Sequence, residues 1–158
     1  MSPALQRALD LQYRFYDSVR HRRATEAAGT QGRTGPFAEL GTSGYLLLVT
    51  FKRDGTPVPT PVLFTHDGGK VYVRGEGRKA KMWRIRNNPH VRIARCNARG
   101  KPKGPIYEGR ARILPPEEEP RAHDLLWSGY SVPMKGYEGV ADRLPVELSY
   151  IEIEPVGA

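Results

Sequence analysis

At 158 residues the chain fits one compact domain, and its 39% of apolar residues suffices for a single core without surplus, so a homodimer is expected to add stability. The net charge of +8, from 25 Lys and Arg against 17 Asp and Glu, points to an anionic partner: nucleic acid, anionic lipid or a phosphorylated cofactor. The single cysteine, Cys96, excludes an internal disulfide and fits a reducing cytoplasm, while the charged opening MSPALQRALDLQYRFYDSVRHRR reads as neither signal peptide nor membrane span.

Residues 3–22 carry Ala8, Leu11, Phe15 and Val19 at three- and four-residue spacing, which predicts an amphipathic helix. The stretch 24–36 is rich in Gly and Thr and reads as a loop. Residues 1–36 thus form an N-terminal helix and loop, and 37–158 the main domain. The continuous apolar run 45–51 (YLLLVTF) predicts a strand buried on both faces. Lys52-Arg53-Asp54-Gly55-Thr56 is a hairpin turn, and 58–66 returns as the partner strand. Pro57, Pro59 and Pro61 each remove a ladder donor, so this strand is an edge or irregular in its first half.

Asp67-Gly68-Gly69 is a second tight turn, and 70–75 alternates as a strand with Val71 and Val73 on one face. A short helix over 79–87 stops before Pro89. Two more strands are predicted over 90–96 and 105–114, the latter with Tyr107, Gly109, Ala111 and Ile113 on one face. A helix opens at Pro115 and runs to about Trp127, its acidic first turn suiting the helix dipole. The last strand, 149–154, points Ile151 and Ile153 inward. Antiparallel strands joined by short turns suggest a barrel or a small sandwich.

The segment 71–89 (VYVRGEGRKAKMWRIRNNP) carries the strongest chemical signal. A strand leads into Gly75-Glu76-Gly77, and a helix then starts with Arg78, Lys79 and Lys81. Cations in a first turn oppose the helix dipole, and a bound anion would reverse that penalty. The competing reading is a solvated basic helix whose Met82 and Ile85 pack inward. The P-loop pattern is absent.

The runs TFKRDGTPVPTPVLF and VYVRGEGRKAKMWRIRNNPHVRIA, with CNARGKPKGPIYEGRARIL, resemble the pyridoxamine 5′-phosphate oxidase-like superfamily of flavin-binding split barrels. Within it they look like the reductases that depend on the deazaflavin coenzyme F-420. The resemblance covers 37–114 well, 115–154 more loosely, and none of the first 36 residues. It implies a mainly β (α+β) fold, an antiparallel split β-barrel with a few short helices, and a homodimer acting on a small organic molecule. It also implies cofactor-binding roles for Thr60, Pro61 and Val62, with Thr50 nearby, against the flavin ring. Lys81 would grip the phosphate, Arg78 and Lys79 would lie beside it, and Arg74 would end the strand that faces them. Backbone amides near 60–62 would stabilise charge on the ring. The oxidases place an arginine where this chain has Thr60, and their C-terminal substrate-binding Arg and His are missing from a chain that ends EPVGA. Those departures argue against pyridoxamine phosphate oxidation and favour F-420 over FMN.

Other constellations weigh less. His21, His66, His90 and His123 lack metal spacing, so no metal site is expected, and His66 reads as exposed at a strand end. Cys96 reads as a buried, inert thiol. Trp83 and Trp127 are expected in the core. Tyr130 and Tyr137, in a Gly-rich loop, are weak candidates for a substrate pocket. A nucleic-acid-binding barrel is the rival of another class: Tyr72, Arg74, Arg92, Tyr107 and Arg110 put aromatic and basic residues on strands. No RNP-like motif accompanies them, so nucleic acid is not the expected partner.

Overall fold

The computed structural model describes residues 22–76, 80–129 and 148–157, together with Pro3, Ala4 and Arg7. The helix expected over 3–22 lies almost wholly outside them. Six antiparallel strands close a barrel: β1 (Ser43–Phe51), β2 (Pro57–Asp67), β3 (Lys70–Glu76), β4 (His90–Cys96), β5 (Tyr107–Ile113) and β6 (Leu148–Pro155). Around the barrel they run β1-β2-β3-β6-β5-β4, each antiparallel to its neighbours. Three short helices accompany them among the described residues: α1 (Arg22–Ala28), α2 (Ala80–Asn87) and α3 (Glu119–Gly129), the last preceded by a 3-10 turn at Pro116–Glu118.

Strand alternation builds the barrel as expected. Leu46, Leu48, Phe64, Val71, Val73, Val91, Ile93, Tyr107, Ala111, Ile151 and Ile153 share one interior cluster. The run in β1 is buried on both faces. Leu46 and Leu48 point inward, and Leu47, Val49 and Phe51 join an outer cluster under α1. The hairpin turns at 52–56 and 67–69 form where predicted. Gly68 and Gly69 have φ of 59° and 80°, left-handed values that glycine adopts without strain.

Residues 24–36 do not form one loop. Their first part belongs to α1, whose Ala24, Ala27 and Ala28 recur at helical spacing and press into the outer face of β1 and β4. The Gly- and Thr-rich character starts only at Gly29, so averaging over the stretch hid a helix of small residues. The segment after α1 is stapled to β5. Arg33 N–H donates to Ile106 O at 2.8 Å, and Glu108 N–H donates to Arg33 O at 2.8 Å. Glu108, on the outer face, accepts from Gly32 N–H (2.8 Å), from Arg92 Nε (3.0 Å) and pairs with His90 Nε2. Arg92 also donates to Ala28 O at 3.1 Å and lies over the Phe51 ring. Burial alone would raise the Glu108 carboxyl, but the Gly32 N–H, His90 and Arg92 outweigh it and hold it below the ordinary carboxylate range.

The other flank is covered by α3, which runs two residues past Trp127. Ala122 and Leu126 pack on Tyr72, Leu114 and Tyr150, with Trp127 half-buried beside them. Cys96 is buried, and desolvation pushes its thiol up to about 12, which makes it inert at neutral pH.

Candidate functional site

Two ends of the barrel differ. At one, Phe37 and Leu40 are buried, and Arg95 Nη1 donates to Leu40 O and Ser43 O, each at 2.9 Å, tying the entry loop down. His66 is half-buried there rather than exposed, with Nδ1 3.1 Å from Gly41 O and its ring edge-on to Phe37. A shallow cleft of about 630 Å³ remains beside Phe37, His66 and Pro155. At the other end β1, β3 and β5 finish, β2, β4 and β6 begin, and α2 crosses from β3 to β4 on the opposite side of the barrel.

The helix α2 is held by Met82 and Ile85, one turn apart, which enter the interior cluster. Gly75 makes room for this: an added Cβ would fall 2.2 Å from Met82 Cε. With that face inward, the rest of α2 presents Lys81, Arg84 and Arg86 at the barrel mouth, and Arg84 and Arg86 sit in the last turn, where the helix dipole favours cations. Trp83 does not join the core. It is 57% exposed, because Met82 and Ile85 take the inward positions and Trp83, one residue after Met82, is turned about 100° away from them around the helix. A cleft of about 460 Å³ lies between the β1–β2 turn and the end of α2, lined by Phe51, Lys52, Arg53, Gly55, Asn87 and Asn88.

Of the residues expected to bind a cofactor, Thr50 is buried near the end of β1, and its hydroxyl accepts from Arg84 Nε at 2.6 Å. Thr50 faces Val58 across the β1–β2 ladder, so α2 is pinned next to the first half of β2. Thr60 and Val62 lie on the barrel-facing side of β2, in line with Phe64, and are half-buried; Pro61 lies on the other side. Arg74 is buried on β3 opposite Tyr150, on the face away from Val73. The structure therefore gathers Thr50, Thr60 and Val62 on one surface and sets Arg74 on the other side of the sheet. Lys81 is half-buried at the start of α2. Arg78, Lys79, Tyr130 and Tyr137 lie outside the described residues.

Among the described residues, 57–62 of β2 pair with β1 alone, since β3 joins only from Phe64 onward. His66 N–H donates to Thr42 O at 2.8 Å, and the alternation of an antiparallel ladder then turns every even-numbered N–H and C=O of β2 toward β1. The amides of Thr60 and Val62 are thus consumed by β1, opposite Leu48 and Leu46. The free side carries Pro57, Pro59 and Pro61, which have no N–H at all. The backbone amides near 60–62 that were expected to stabilise ring charge thus face β1, and among the described residues the outward side of 57–62 carries carbonyls without N–H groups. The edge itself is as expected, with a regular register instead of an irregular one.

Sequence reasoning missed Arg84. The signal was present: Thr50 is a hydroxyl near the end of a run expected to be buried on both faces, and a buried hydroxyl needs a partner. Arg84 lies three residues after Lys81, which puts both on one side of α2. The aromatic and basic strand residues that suggested nucleic acid do not form a surface. Tyr72, Arg74 and Tyr107 are buried, Arg92 is enclosed by Glu108, Ala28 and Phe51, and only Arg110 of the five is exposed. No helix among the described residues is long and apolar enough to cross a membrane.

The cations of α2 and of the β1–β2 turn suit a phosphate, and half-buried Thr60 and Val62, with buried Thr50 behind them, offer a wall, so the residues present fit a phosphorylated ring compound. A family model described as pyridoxamine 5′-phosphate oxidase matches residues 37–156. No curated protein sequence matches the chain. Among solved structures, protein Atu2129 of Agrobacterium tumefaciens aligns with 81% of this chain and 58% of its own longer chain, at 17% identity and a TM-score of 0.59. The heme storage protein HutZ of Vibrio cholerae aligns with 72% of this chain and 82% of its own, at 13% identity and a TM-score of 0.54. An F420-H2-dependent reductase, FDR-A, aligns with 80% of this chain and all of its own, at 19% identity and a TM-score of 0.48. At such identities the likeness is one of fold.

Proposed function

This chain belongs to the pyridoxamine 5′-phosphate oxidase family, and from that premise we propose that it is an oxidoreductase that uses the deazaflavin coenzyme F-420 to pass a hydride to or from a small organic substrate. FMN is the alternative cofactor, because it offers the same phosphate to the same cations. The observation that carries the reading is a cationic helix, α2, seated on the open barrel mouth and joined through Arg84 and Thr50 to the half-buried face of β2. The bound deazaflavin supplies the hydride chemistry. The chain's own part is binding and orientation. Lys81, with Arg78 and Lys79, holds the phosphate; Val62 packs on the ring and Thr60 offers it a hydroxyl; Arg84 keeps Thr50 and the end of β1 in place. The working form is a homodimer, and Trp83, standing out from α2, is the residue that a second copy would cover. Tyr130 and Tyr137 border the substrate.

Titration of the purified protein with F-420, FMN and single-stranded DNA at matched salt tests the reading. Tight F-420 binding is expected, weakened about ten- to a hundredfold by Lys81→Ala, the scale of a charge-assisted contact. DNA binding with a steep salt slope and no affinity for either flavin would overturn it in favour of a nucleic-acid module.

A further inference from the structure

The end of the barrel away from α2 carries a second concavity that the proposed function leaves unused. The shallow cleft of about 630 Å³ falls in the size range of small-molecule sites. It is lined by Pro36, Phe37, His66 and Pro155, and by Gly69 and Gly157, which add no side chain. Among the described residues no Lys, Arg, Asp or Glu lines it, so a charged ligand would lose hydration there without meeting a counter-charge. The frame of the cleft is fixed within the fold. The Phe37 ring stands edge-on to His66 and to Tyr107, and the Tyr107 hydroxyl accepts from Glu39 N–H at 3.0 Å. Gly35 N–H donates to Val156 O at 2.8 Å, which ties the chain before Pro36 to the chain after Pro155.

His66 gives this apolar cleft one polar atom of fixed character. Its Nδ1 lies 3.1 Å from Gly41 O, and a carbonyl oxygen only accepts, so Nδ1 carries the hydrogen. The neutral ring then holds its lone pair on Nε2, and among the described residues no group donates to that nitrogen. We propose that the cleft is a second ligand site, which takes a small neutral aromatic compound bearing one hydrogen-bond donor, a phenol by class, with the hydroxyl on His66 Nε2 and the ring against the apolar lining. An ether in place of the hydroxyl would leave Nε2 unpaired, so the site discriminates by the donor and not by the ring. His66 is six residues from Thr60 along β2, about 20 Å in an extended strand. Within one copy the ligand therefore sits well outside the surface proposed for the cofactor and is not the hydride partner. The site stands without the cofactor reading.

Phenol and anisole share the ring and differ in the donor, so titrating the full chain with each, followed by NMR, isolates the effect. The amide signals of Phe37, Gly69 and Gly157 are expected to move with both compounds, and phenol is expected to bind about fivefold tighter, the scale of one neutral hydrogen bond. His66→Phe keeps an aromatic ring beside Phe37 and removes the nitrogen, and it should bring phenol down to the affinity of anisole. In the wild type, saturation with phenol should move the nitrogen-15 signal of His66 Nε2 and leave that of Nδ1 in place, a readout that stands even if the variant folds poorly. Equal affinities in the wild type, an unmoved Nε2 signal, or shifts that fall away from the cleft would overturn the proposal. Movement of the cleft signals with protein concentration alone would mark a face covered by a second copy and would overturn it as well.

Discussion

Leu48 and Thr60 face each other across one ladder, yet they belong to opposite kinds of structure. The strand holding Leu48 is paired on both sides, by β2 and β4, and buried on both faces, by the barrel interior and by α1. The stretch holding Thr60 is paired on one side, is half-buried except at Pro59, and carries three prolines on its free edge. The first region has strands on both sides over 45–49 and a charged staple, Glu108, clamping the segment after α1 to the barrel's outside. The second, among the described residues, has no second strand beside it and lies next to the cations of α2 and of the β1–β2 turn. Packing is concentrated in the wall, and the stretch to which cofactor binding is proposed is held by the wall from one side. The prolines serve that division, since a free edge without them would invite another strand.

The contrast can be broken at three points. Leu48→Ala removes a fully buried side chain from the wall, and an unfolding free energy lower by about 3 kcal/mol is expected in denaturant titration. A cost below about 1 kcal/mol would mean that the wall is not close-packed at its centre. Glu108→Ala leaves Arg92 and His90 without their carboxylate and is expected to lower stability by about 2 to 3 kcal/mol at neutral pH. Because the folded state holds this carboxyl below its usual value of 4.5, its contribution is complete above that value and fades as the pH falls through the lowered one. Thermal melts across acidic pH should therefore bring wild type and variant together on acidification, and a difference that stays constant with pH would deny Glu108 the role of staple. Pro61→Val, on the free edge, should change stability by less than about 1 kcal/mol in either direction, since it breaks no ladder bond. A larger loss would show that this stretch belongs energetically to the wall.

Much of this was legible in the chain. The apolar run at 45–51 predicted burial on both faces because no polar alternation relieves it, and the pairs Asp54-Gly55 and Gly68-Gly69 marked the turns that need left-handed backbone. The segment 79–87 was legible as the short helix α2, and the three prolines marked an edge among the described strands. Less could be read where a residue's role depends on a distant neighbour. Trp83 carries a large apolar side chain in a helix that caps a core, yet its neighbours Met82 and Ile85 hold the inward positions. The alanines of α1 become a packing surface only once β1 and β4 lie beneath them.

Local periodicity by itself determined the strands, the turns and the cationic helix, because those depend on the side chains of a few consecutive residues and on the backbone angles they allow. Closure of the barrel, the contact of Arg84 with Thr50, the placing of Arg74 on the far side of the sheet and the direction in which three prolines point were decided only in the tertiary structure. Each depends on register: which backbone side of a strand is free is set by the neighbour it pairs with, and that neighbour is chosen by contacts between residues far apart in the chain.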